Sequence, residues 1–347
     1  MSFNSSPLVS VVIPAYAAAA YIRQTLDSVF RQTYANYEVI VVNDGSPDTE
    51  QLESALRDYG QRLIYIKQEN RGPSGARNAG IRRARGEFIA FLDSDDLWFE
   101  NYLERQMQGL EQAPGYDFIY CDATLTGEGV PSGRTFMQAF PSRGPVNFES
   151  LLSLDCIVIS SCTVARRESI VKAGMFDEGF RHCEDFDLWL RIAFTGARMR
   201  YQADLLASHR VRQGSLSACA QSMRKGRTDV YRKVAATLPL SDQQRSIATS
   251  VLRRLDAVIE LETGKQLLLE GKYVEAVSVL RRANQHFRSG RIAALILLLH
   301  AMPAPARWIY QAYSARLNSR RAAGLHEQAQ SQLLKATAEF PQTPKQL

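Results

Sequence analysis

Residues 8–122 alternate between two kinds of segment. Short apolar runs rich in β-branched residues are each followed by a polar or glycine-containing junction and then by hydrophobic residues at helical spacing. Continuous apolar runs are typical of strands buried on both faces of a parallel sheet, and the intervening helices cover that sheet. The pattern therefore predicts an α/β domain with a parallel sheet. The predicted strands are Val9–Ile13, Tyr37–Val42, Leu63–Ile66, Phe88–Leu92 and Phe118–Tyr120, and the predicted helices are Tyr21–Phe30, Thr49–Tyr59, Ser74–Ala84 and Phe99–Leu110.

The pattern changes twice after this region. Residues 125–146 are rich in glycine, proline, serine and threonine, which predicts a long loop. A helix at Phe148–Leu154, a strand at Cys162–Ala165 and an amphipathic helix that starts right after Glu184 and Asp185 follow it. Beyond Ser217 the strand patterns stop, so the rest of the chain predicts helices alone. These helices are 219–236, 242–270, 272–287, 291–300, 304–317 and 320–338.

Composition supports a folded protein and excludes several classes. With 347 residues, 45% of them hydrophobic and 22% charged, the chain can bury a core, so we exclude disorder, collagen and a disulfide-stapled scaffold. The five cysteines are unclustered, and neither a disulfide framework nor a zinc site is indicated. Pro14 interrupts the first apolar stretch, and the run Ile292–Leu299 is too short to span a bilayer. We therefore expect a cytoplasmic protein.

Candidate chemistry follows the first two strands. Tyr16 comes after the Pro14 that ends the first strand, where its ring could stack on a ligand or pack on the next helix. Asp44 follows the second strand, and its carboxylate could accept from the N–H of a base or belong to an ordinary turn with Gly45. Ligands of open α/β sheets gather at the carboxyl ends of the strands, so both side chains are candidates for a binding site.

The segment Asn70–Gly80 predicts the start of a helix beside a ligand. Its proline suits the first helical turn, and its glycines allow close approach of the backbone. Arg71 and Arg77 add positive charge where helix N–H groups already favour anions. The segment is therefore a candidate phosphate contact, with tight packing on the sheet as the alternative.

The predicted strand Phe88–Leu92 runs directly into Asp93-Ser94-Asp95-Asp96. Three carboxylates in four residues repel one another unless a cation or hydrogen-bond donors compensate them, and hard divalent ions prefer oxygen ligands of this kind. The alternative is that Asp95 or Asp96 caps the following helix. The position beside Asp44 and Tyr16 favours the metal site.

These segments, taken in order, resemble the family 2 glycosyltransferases of the GT-A fold. The similarity covers residues 7–217, and it implies an α/β, Rossmann-like nucleotide-diphospho-sugar transferase domain at 1–218. The helical pattern after it predicts an all-α region at 219–347. The motifs that carry the similarity are Val11–Tyr16 (VVIPAY), Asn43–Ser46 (NDGS), Gly75–Gly80 (GARNAG), Phe91–Asp96 (FLDSDD), Phe176–Glu178 (FDE) and Glu184–Arg191 (EDFDLWLR).

The resemblance implies a role for several of these positions. Pro14, Tyr16 and Asp44 would line the pocket for the nucleoside of a nucleotide sugar. Asp93 would meet the ribose or the shell of a divalent metal ion. Asp95 would bind that ion, Mn²⁺ or Mg²⁺, where it bridges the diphosphate.

The resemblance also implies that Asp185 is the general base of an inverting transfer. Such a displacement needs a carboxylate on the face opposite the leaving diphosphate, to accept the proton of the acceptor hydroxyl. A second carboxylate that protonates the leaving group, as in glycoside hydrolysis, is not required, because a metal ion can stabilise the departing phosphate. Taken without the other motifs, Glu184 and Asp185 are also compatible with a helix cap.

One position departs from the family's pattern. Members commonly carry Arg-x-His-x-x-Ser-x-Ser near the end of the catalytic domain, whereas this chain reads RVRQGSLS at 210–217, with Arg212 in the place of the histidine. A guanidinium can bind a diphosphate but cannot ligate a metal ion. We therefore expect Arg212 to contact the donor, and His209 is open either as a metal ligand or as a structural residue.

The resemblance implies transfer from a nucleotide-diphosphate sugar, expected to be a UDP-sugar, to a hydroxyl of a glycan or lipid-linked acceptor in surface polysaccharide synthesis. A sugar nucleotidyltransferase is the first alternative, but it needs a glycine-rich loop where this chain reads AYAAAA at 15–20. A degenerate binding scaffold is the second, and the retained acidic residues oppose it. The absence of a Walker A loop and of a GxGxxG fingerprint excludes NTPases and dinucleotide enzymes.

Charge is distributed unevenly along the chain. Residues 1–219 hold 22 Lys and Arg against 27 Asp and Glu, and residues 220–347 hold 20 against 9. Apolar, aromatic and basic side chains lie together in 291–321, an arrangement that suits an interfacial helix on the inner face of a membrane. Helix packing or a homodimer is the open alternative, and we expect no nucleic acid partner. The residues concerned are Ile292–Leu299, Trp308, Tyr310, Tyr313, Arg288, Arg291, Arg307, Arg316, Arg320 and Arg321.

Overall fold

The structure, a computed structural model, describes residues 6–112, 115–127, 130–212, 215 and 218–312. The chain divides into two compact units, and the first of them ends at Ser215. Strands and helices alternate in the first unit, whereas the described residues of the second unit form helices alone.

A sheet of eight strands organises the first unit. The strands are β1 (Val9–Ala15), β2 (Tyr37–Asp44), β3 (Ile64–Gln68), β4 (Phe88–Phe91), β5 (Leu97–Trp98), β6 (Phe118–Thr126), β7 (Thr163–Arg166) and β8 (Met199–Arg210). Their order across the sheet is β3-β2-β1-β4-β7-β6-β8-β5. All six strands predicted from the apolar runs are present, each with its ends shifted by a few residues or, for β6, extended to Thr126.

The sheet is mixed, so the expectation of a parallel sheet is correct for β1–β4 and for the pair of β6 with β8, but not for β5 and β7. β1 pairs in parallel with β2 and β4, and β2 pairs in parallel with β3. β7 runs antiparallel between β4 and β6, and β5 runs antiparallel to β8. Continuous apolar runs report burial on both faces, and β7 is buried in the same way as its parallel neighbours although its direction is reversed.

Helices cover the sheet, and their apolar positions follow the helical period. In α1 (Ile22–Phe30), for example, Leu26 and Val29 are buried at spacings of four and three residues. The predicted loop at 125–146 contains a short helix whose N-terminus Thr135 caps. The remaining helices are α2 (Thr49–Leu56), α3 (Gly72–Arg83), α4 (Tyr102–Gln112), α5 (Phe136–Ala139), α6 (Phe148–Leu152), α7 (Arg167–Lys172) and α8 (Glu184–Phe194), with 3₁₀ turns at Arg57–Arg62 and Ser160–Cys162.

The register of the parallel half brings the candidate motifs to one edge. Ala15 at the end of β1 lies opposite Asn43 in β2, and the Leu92 N–H after β4 donates to the Val12 carbonyl at 3.1 Å. α3 packs so tightly on β1 that a Cβ at Gly80 would lie 2.4 Å from Val12 Cγ1. Close packing therefore explains this glycine.

The described residues of the second unit form helices joined by short connections. Its helices are α9 (Ala220–Thr237), α10 (Asp242–Glu270), α11 (Tyr273–Phe287) and α12 (Gly290–Ala301), and residues 303–312 are also helical. Ser241 and Gln244 form a capping box at the start of α10, and Gly271 ends that helix with φ +80°. Among the described helices, none has both the length and the apolar content that crossing a bilayer requires. The predicted helix 320–338 and the end of the one predicted at 304–317 lie outside the described residues.

Candidate active site

The edge beyond β1 and β2 holds the predicted nucleoside contacts. Asp44 is buried, and its Oδ1 accepts from Gln68 Nε2 at 2.7 Å and from the Arg71 backbone N–H at 2.9 Å. Pro14 is partly exposed near the end of β1, and 51% of Tyr16 is exposed. A tyrosine that offers this much surface remains available for stacking, as the predicted role requires.

Arg71 has its side chain engaged within the protein. Its Nη2 donates to Glu178 Oε2 at 2.6 Å. A Cβ at Gly75 would lie 2.4 Å from Arg71 Cβ, so the glycine leaves room for this side chain. Asn78 holds the Phe176 backbone on both sides, accepting from its N–H at 2.9 Å and donating to its carbonyl at 2.8 Å. The segments Asn70–Gly80 and Phe176–Glu178, which were predicted separately, are therefore joined by hydrogen bonds, and Arg71 makes one of them.

Arg77 is a buried bridge between two other motifs. Its Nη2 donates to Asp93 Oδ1 and its Nη1 donates to Glu184 Oε1, both at 2.7 Å. Burial disfavours the charged guanidinium, but the two carboxylates outweigh burial and raise the pKa of Arg77 above its usual value. The predicted phosphate contact at Arg77 therefore has two protein carboxylates on its terminal nitrogens, and its observed contacts are structural.

Each acidic residue of the segment 93–96 has a basic partner. Asp93 is paired with Arg77, and Asp95 Oδ2 accepts from Arg212 Nε at 2.6 Å. Asp96 is buried, and its Oδ2 lies 2.9 Å from His209 Nδ1. The repulsion from which we predicted a metal ion is thus relieved by the protein's own side chains. The alternative of a helix cap is wrong, because β5 follows directly and not a helix.

The pair of Asp96 and His209 is electrostatically coupled. Burial disfavours the imidazolium, but the Asp96 carboxylate outweighs this effect and raises the pKa of His209 to about 9. Burial also disfavours ionised Asp96, but His209 and the Arg210 N–H, which donates to Oδ1 at 2.8 Å, lower the pKa of Asp96. With one oxygen on His209 and the other on Arg210, Asp96 is fully engaged, and His209 serves as its structural partner.

Two carboxylate oxygens fit a divalent ion. In the described part of the chain, no three His, Cys, Asp or Glu side chains converge to hold a metal ion by themselves. However, no hydrogen bond from the described residues reaches Asp93 Oδ2 or Asp95 Oδ1. Mg²⁺ is commonly bound through one or two carboxylates together with substrate phosphates. The donor set therefore fits an ion that is held jointly with a diphosphate.

Asp185 lies in the first turn of α8. Its Oδ2 accepts from Ser160 Oγ at 3.0 Å and its Oδ1 from the Phe186 N–H at 2.7 Å. The N-cap position belongs to Cys183, which has φ +60° and does not cap the helix with its side chain, so neither acidic residue is the helix cap. Burial, opposed in part by Arg77, raises the pKa of Asp185, and burial likewise raises that of Glu184 to about 7.

The turn Ser160–Cys162 connects the two groups of carboxylates. Ser160 Oγ donates to Asp185, and Ser161 Oγ accepts from the Asp93 N–H at 3.1 Å. The sequence did not predict either serine, nor the role of Glu184 as a partner of Arg77. Two adjacent serines before a strand are a weak signal, and only the fold shows which carboxylates they meet.

Comparison with known sequences identifies similar proteins. A profile described as "Glycosyl transferase family 2" matches residues 10–173. An uncharacterized glycosyltransferase of Rickettsia typhi is 36% identical over 54% of this chain, which spans 58% of that relative. The UDP-Glc:alpha-D-GlcNAc-diphosphoundecaprenol beta-1,3-glucosyltransferase WfaP of Escherichia coli is 32% identical over 61% of this chain and 80% of its own length. The amylovoran biosynthesis glycosyltransferase AmsB of Erwinia amylovora is 31% identical over 58% of this chain and 68% of its own.

Solved structures show the same fold at low sequence identity. S. aureus TarS 1-349 in complex with UDP-GlcNAc has a TM-score of 0.59 at 19% identity, covering 88% of this chain and 91% of that 1-349 chain. The mannosyltransferase PcManGT from Pyrobaculum calidifontis, in complex with GDP-Man and Mn²⁺, has a TM-score of 0.59 at 20% identity, covering 97% and 87%. The predicted fold class, a GT-A domain followed by a helical C-terminal region, is confirmed.

Proposed function

Because the chain belongs to the family 2 glycosyltransferases, we propose that it transfers a sugar with inversion from a UDP-sugar to a hydroxyl of a glycan or lipid-linked acceptor. The family sets aside the alternative of a sugar nucleotidyltransferase. One observation carries the proposal: the turn at Ser160 and Ser161 ties Asp185 to Asp93. A carboxylate with a raised pKa thus lies beside the acidic segment expected to meet the donor.

The donor half of the proposal assigns the nucleoside to the edge beyond β1 and β2. The exposed ring of Tyr16 would stack on the base, with Pro14 beside it, and the buried Asp44 would accept from a base N–H. WfaP is named for a UDP-sugar and TarS binds UDP-GlcNAc, which supports UDP, whereas PcManGT binds GDP-Man. A comparison of UDP- and GDP-sugars as donors therefore tests the choice of nucleotide.

The acidic segment would meet the diphosphate of the donor. Asp95 and Asp93 would hold a divalent ion, Mn²⁺ or Mg²⁺, through the two oxygens that no described residue contacts. When bound, such an ion stabilises negative charge on the leaving diphosphate. Arg77 and Ser161 fix Asp93 from its side chain and its backbone, so that Asp93 is positioned before the donor arrives.

Asp185 would accept the proton of the acceptor hydroxyl. Its raised pKa makes it a stronger base than an exposed aspartate, and the Ser160 hydrogen bond orients one carboxylate oxygen. Glu184 is not proposed as the base, because its Oε1 accepts a hydrogen bond from Arg77. Glu184 therefore positions the arginine that holds Asp93, whereas Asp185 carries the proton transfer.

A donor screen with matched variants tests this proposal. Purified protein is incubated with UDP-, GDP- and dTDP-sugars and Mn²⁺, and both nucleotide release and the anomeric configuration of the glycosylated product are measured. We expect Asp185→Asn to lower kcat by about 10²- to 10⁴-fold while leaving nucleotide affinity unchanged. Glu184→Gln is the matched control, with a smaller loss of kcat expected. If Glu184→Gln abolishes transfer and Asp185→Asn is mild, the two roles are exchanged.

The acceptor half of the proposal includes a membrane surface. WfaP is named for an acceptor attached to diphosphoundecaprenol, which supports a lipid-linked acceptor here. Ile296 is buried in the helical core, but Leu297 and Trp308 are 69% and 70% exposed. Arg288 and Arg291 are exposed on the same unit. Packing accounts for one face of α12, and the exposed apolar and basic residues suit anionic headgroups. Tyr313, Arg316, Arg320 and Arg321 lie outside the described residues.

Vesicle co-sedimentation tests this contact. Each basic residue near an anionic surface contributes about 1 kcal/mol, so we expect the protein to bind anionic vesicles at low salt and to dissociate as salt is raised. Neutral vesicles are the control for the lipid, and Leu297→Ser combined with Trp308→Ser is the control for the surface. Absence of binding, with a dimer in analytical ultracentrifugation, would favour the homodimer through this region.

A further inference from the structure

Arg212 occupies one oxygen of the carboxylate proposed to hold the divalent ion. Its Nε lies 2.6 Å from Asp95 Oδ2, with 31% of the Arg212 side chain and 15% of the Asp95 side chain exposed. The guanidinium carbon also lies 5.2 Å from the centroid of the Tyr21 ring. The arginine is therefore held in place by two contacts, a charge-assisted hydrogen bond and a cation–π contact.

The residue type matters for what Asp95 can bind. A neutral imidazole can share a metal ion with a carboxylate, whereas a guanidinium has no lone pair to offer and keeps its positive charge at any physiological pH. While Arg212 holds Oδ2, it removes one ligand oxygen and places a like charge next to a bound cation. Arg212 is thus a competitor for the cation at Asp95 and not a partner in binding it.

The two carboxylates next to Asp95 offer a cation little more than one oxygen. Asp96 has one oxygen on His209 and the other on the Arg210 N–H, and Asp93 shares its Oδ1 with Arg77. An ion bound to the protein alone would have two carboxylate oxygens and water. A nucleotide diphosphate would change this balance twice, because it supplies oxygen ligands and gives Arg212 another anion.

We propose that Arg212 and the divalent ion compete for Asp95, so that the ion binds tightly only together with the nucleotide diphosphate. The inference rests on the proposed function, since it takes a nucleotide diphosphate as the ligand. The coupling is reciprocal: the nucleotide increases the affinity for the ion by the same factor by which the ion increases the affinity for the nucleotide. The affinity of the free protein for the ion is the quantity that Arg212 lowers.

Arg210 offers a matched control. Its Nε donates to the backbone carbonyl of Asp95 at 2.9 Å and its guanidinium carbon lies 5.0 Å from the centroid of the Tyr21 ring. Replacing Arg210 therefore removes the same charge from the same neighbourhood without freeing a carboxylate oxygen. A difference between Arg212→Met and Arg210→Met reports on the contact with Asp95 and not on net charge.

The test measures Mn²⁺ binding directly. The full-length protein is titrated with Mn²⁺, and free Mn²⁺ is followed by electron paramagnetic resonance, first without nucleotide and then with saturating UDP. Without nucleotide, we expect Arg212→Met to bind Mn²⁺ about tenfold more tightly than the unaltered protein, the size expected from removing one opposing charge in contact. Arg210→Met is expected to tighten binding by a much smaller factor. The gain on adding UDP should be about tenfold smaller in Arg212→Met, because its competitor is already absent.

Two results would overturn the inference: Arg212→Met that binds Mn²⁺ without nucleotide no more tightly than the unaltered protein, or Arg210→Met that gains as much as Arg212→Met. Thermal melting identifies any variant that fails to fold, and Arg212→Gln then replaces it with the same expectation. Failure of the proposed function is a different result. It appears as a lack of UDP binding and of sugar transfer in the unaltered protein, whereas the Mn²⁺ titration without nucleotide can be made in either case.

Discussion

Arg77→Met is the substitution whose cost the structure defines best. The arginine is 5% exposed and makes two hydrogen bonds of 2.7 Å to Asp93 and Glu184, whose side chains are 32% and 11% exposed. Removing one partner of a buried ion pair costs about 3–5 kcal/mol, because the remaining charge is left uncompensated. Because Asp93 is partly solvated, its uncompensated charge contributes less to this loss of stability, and most of the loss comes from the buried charge of Glu184.

The cost depends on pH, because Glu184 can escape its charge by binding a proton. Burial raises the pKa of Glu184 to about 7 even with Arg77 present, and loss of the arginine raises it further. Between the two pKa values the folded variant binds more protons than the folded parent protein. Its stability therefore falls more steeply with rising pH, by up to about 1.4 kcal/mol per pH unit. We expect a deficit of about 1–2 kcal/mol at pH 6 and about 3–5 kcal/mol at pH 8.5.

Urea unfolding of the first-unit transition at both pH values measures these deficits. Arg77→Met with Glu184→Gln is the compensated variant, and its deficit should be smaller at pH 8.5 and nearly independent of pH, because the uncompensated carboxylate is gone. Arg105→Met is the surface control: its pair with Asp204 is 2.7 Å long but 46% exposed on the arginine, and it should cost no more than about 1 kcal/mol. The reasoning is wrong if Arg77→Met costs as little as Arg105→Met at pH 8.5, or if its deficit does not grow with pH.

Two further predictions concern the titration of neighbouring groups. In the pH–rate profile, kcat should fall as pH drops through the raised pKa of Asp185, because the base must be ionised. Because the folded pKa of His209, about 9, lies above its ordinary value, the ion pair with Asp96 stabilises the fold fully below about pH 6.5 and is lost as pH rises through about 9. The stability difference between the parent protein and His209→Gln should thus be on the order of 2–3 kcal/mol at pH 6 and shrink by pH 10, as measured by urea unfolding. A constant difference across this range would exclude the charged pair.

Five of the six strands that sequence patterns predicted are buried along most of their length, whereas β3, at the edge of the sheet, is only partly buried. The eight residues of β2, Tyr37–Asp44, include seven that are buried, so an apolar run is visible without knowledge of the sheet. β8, Met199–Arg210, was missed because its exposure varies irregularly along twelve residues and it carries charged side chains. β5 has only two residues, too few for any period. Strand direction was also inaccessible, because burial on both faces does not distinguish β7 from a parallel strand.

For the candidate site, the positions of residues could be predicted from the sequence but their partners could not. The positions of Tyr16, Asp44 and Asp93 at one edge follow from the order of strands and the rule that ligands gather at their carboxyl ends. Their partners do not follow, because each pair joins residues far apart in the chain. Arg77 in α3 and Glu184 at the start of α8 are separated by 107 positions, and only the folded chain brings them together.

The acidic segment 93–96 was interpreted without its basic partners, because those residues lie far from it in the sequence. Judged by composition, three carboxylates in four residues require an external cation. In the folded chain, Arg77 comes from α3, His209 from β8 and Arg212 from the residues just after β8, and each neutralises a different member of the segment. Two of these three partners depend on β8, the strand that the apolar pattern did not reveal. His209 and Arg212 bind Asp96 and Asp95, so β8 and the residues after it determine how much negative charge remains for a cation. Of these two contacts, the one between Arg212 and Asp95 is the one that a diphosphate can replace.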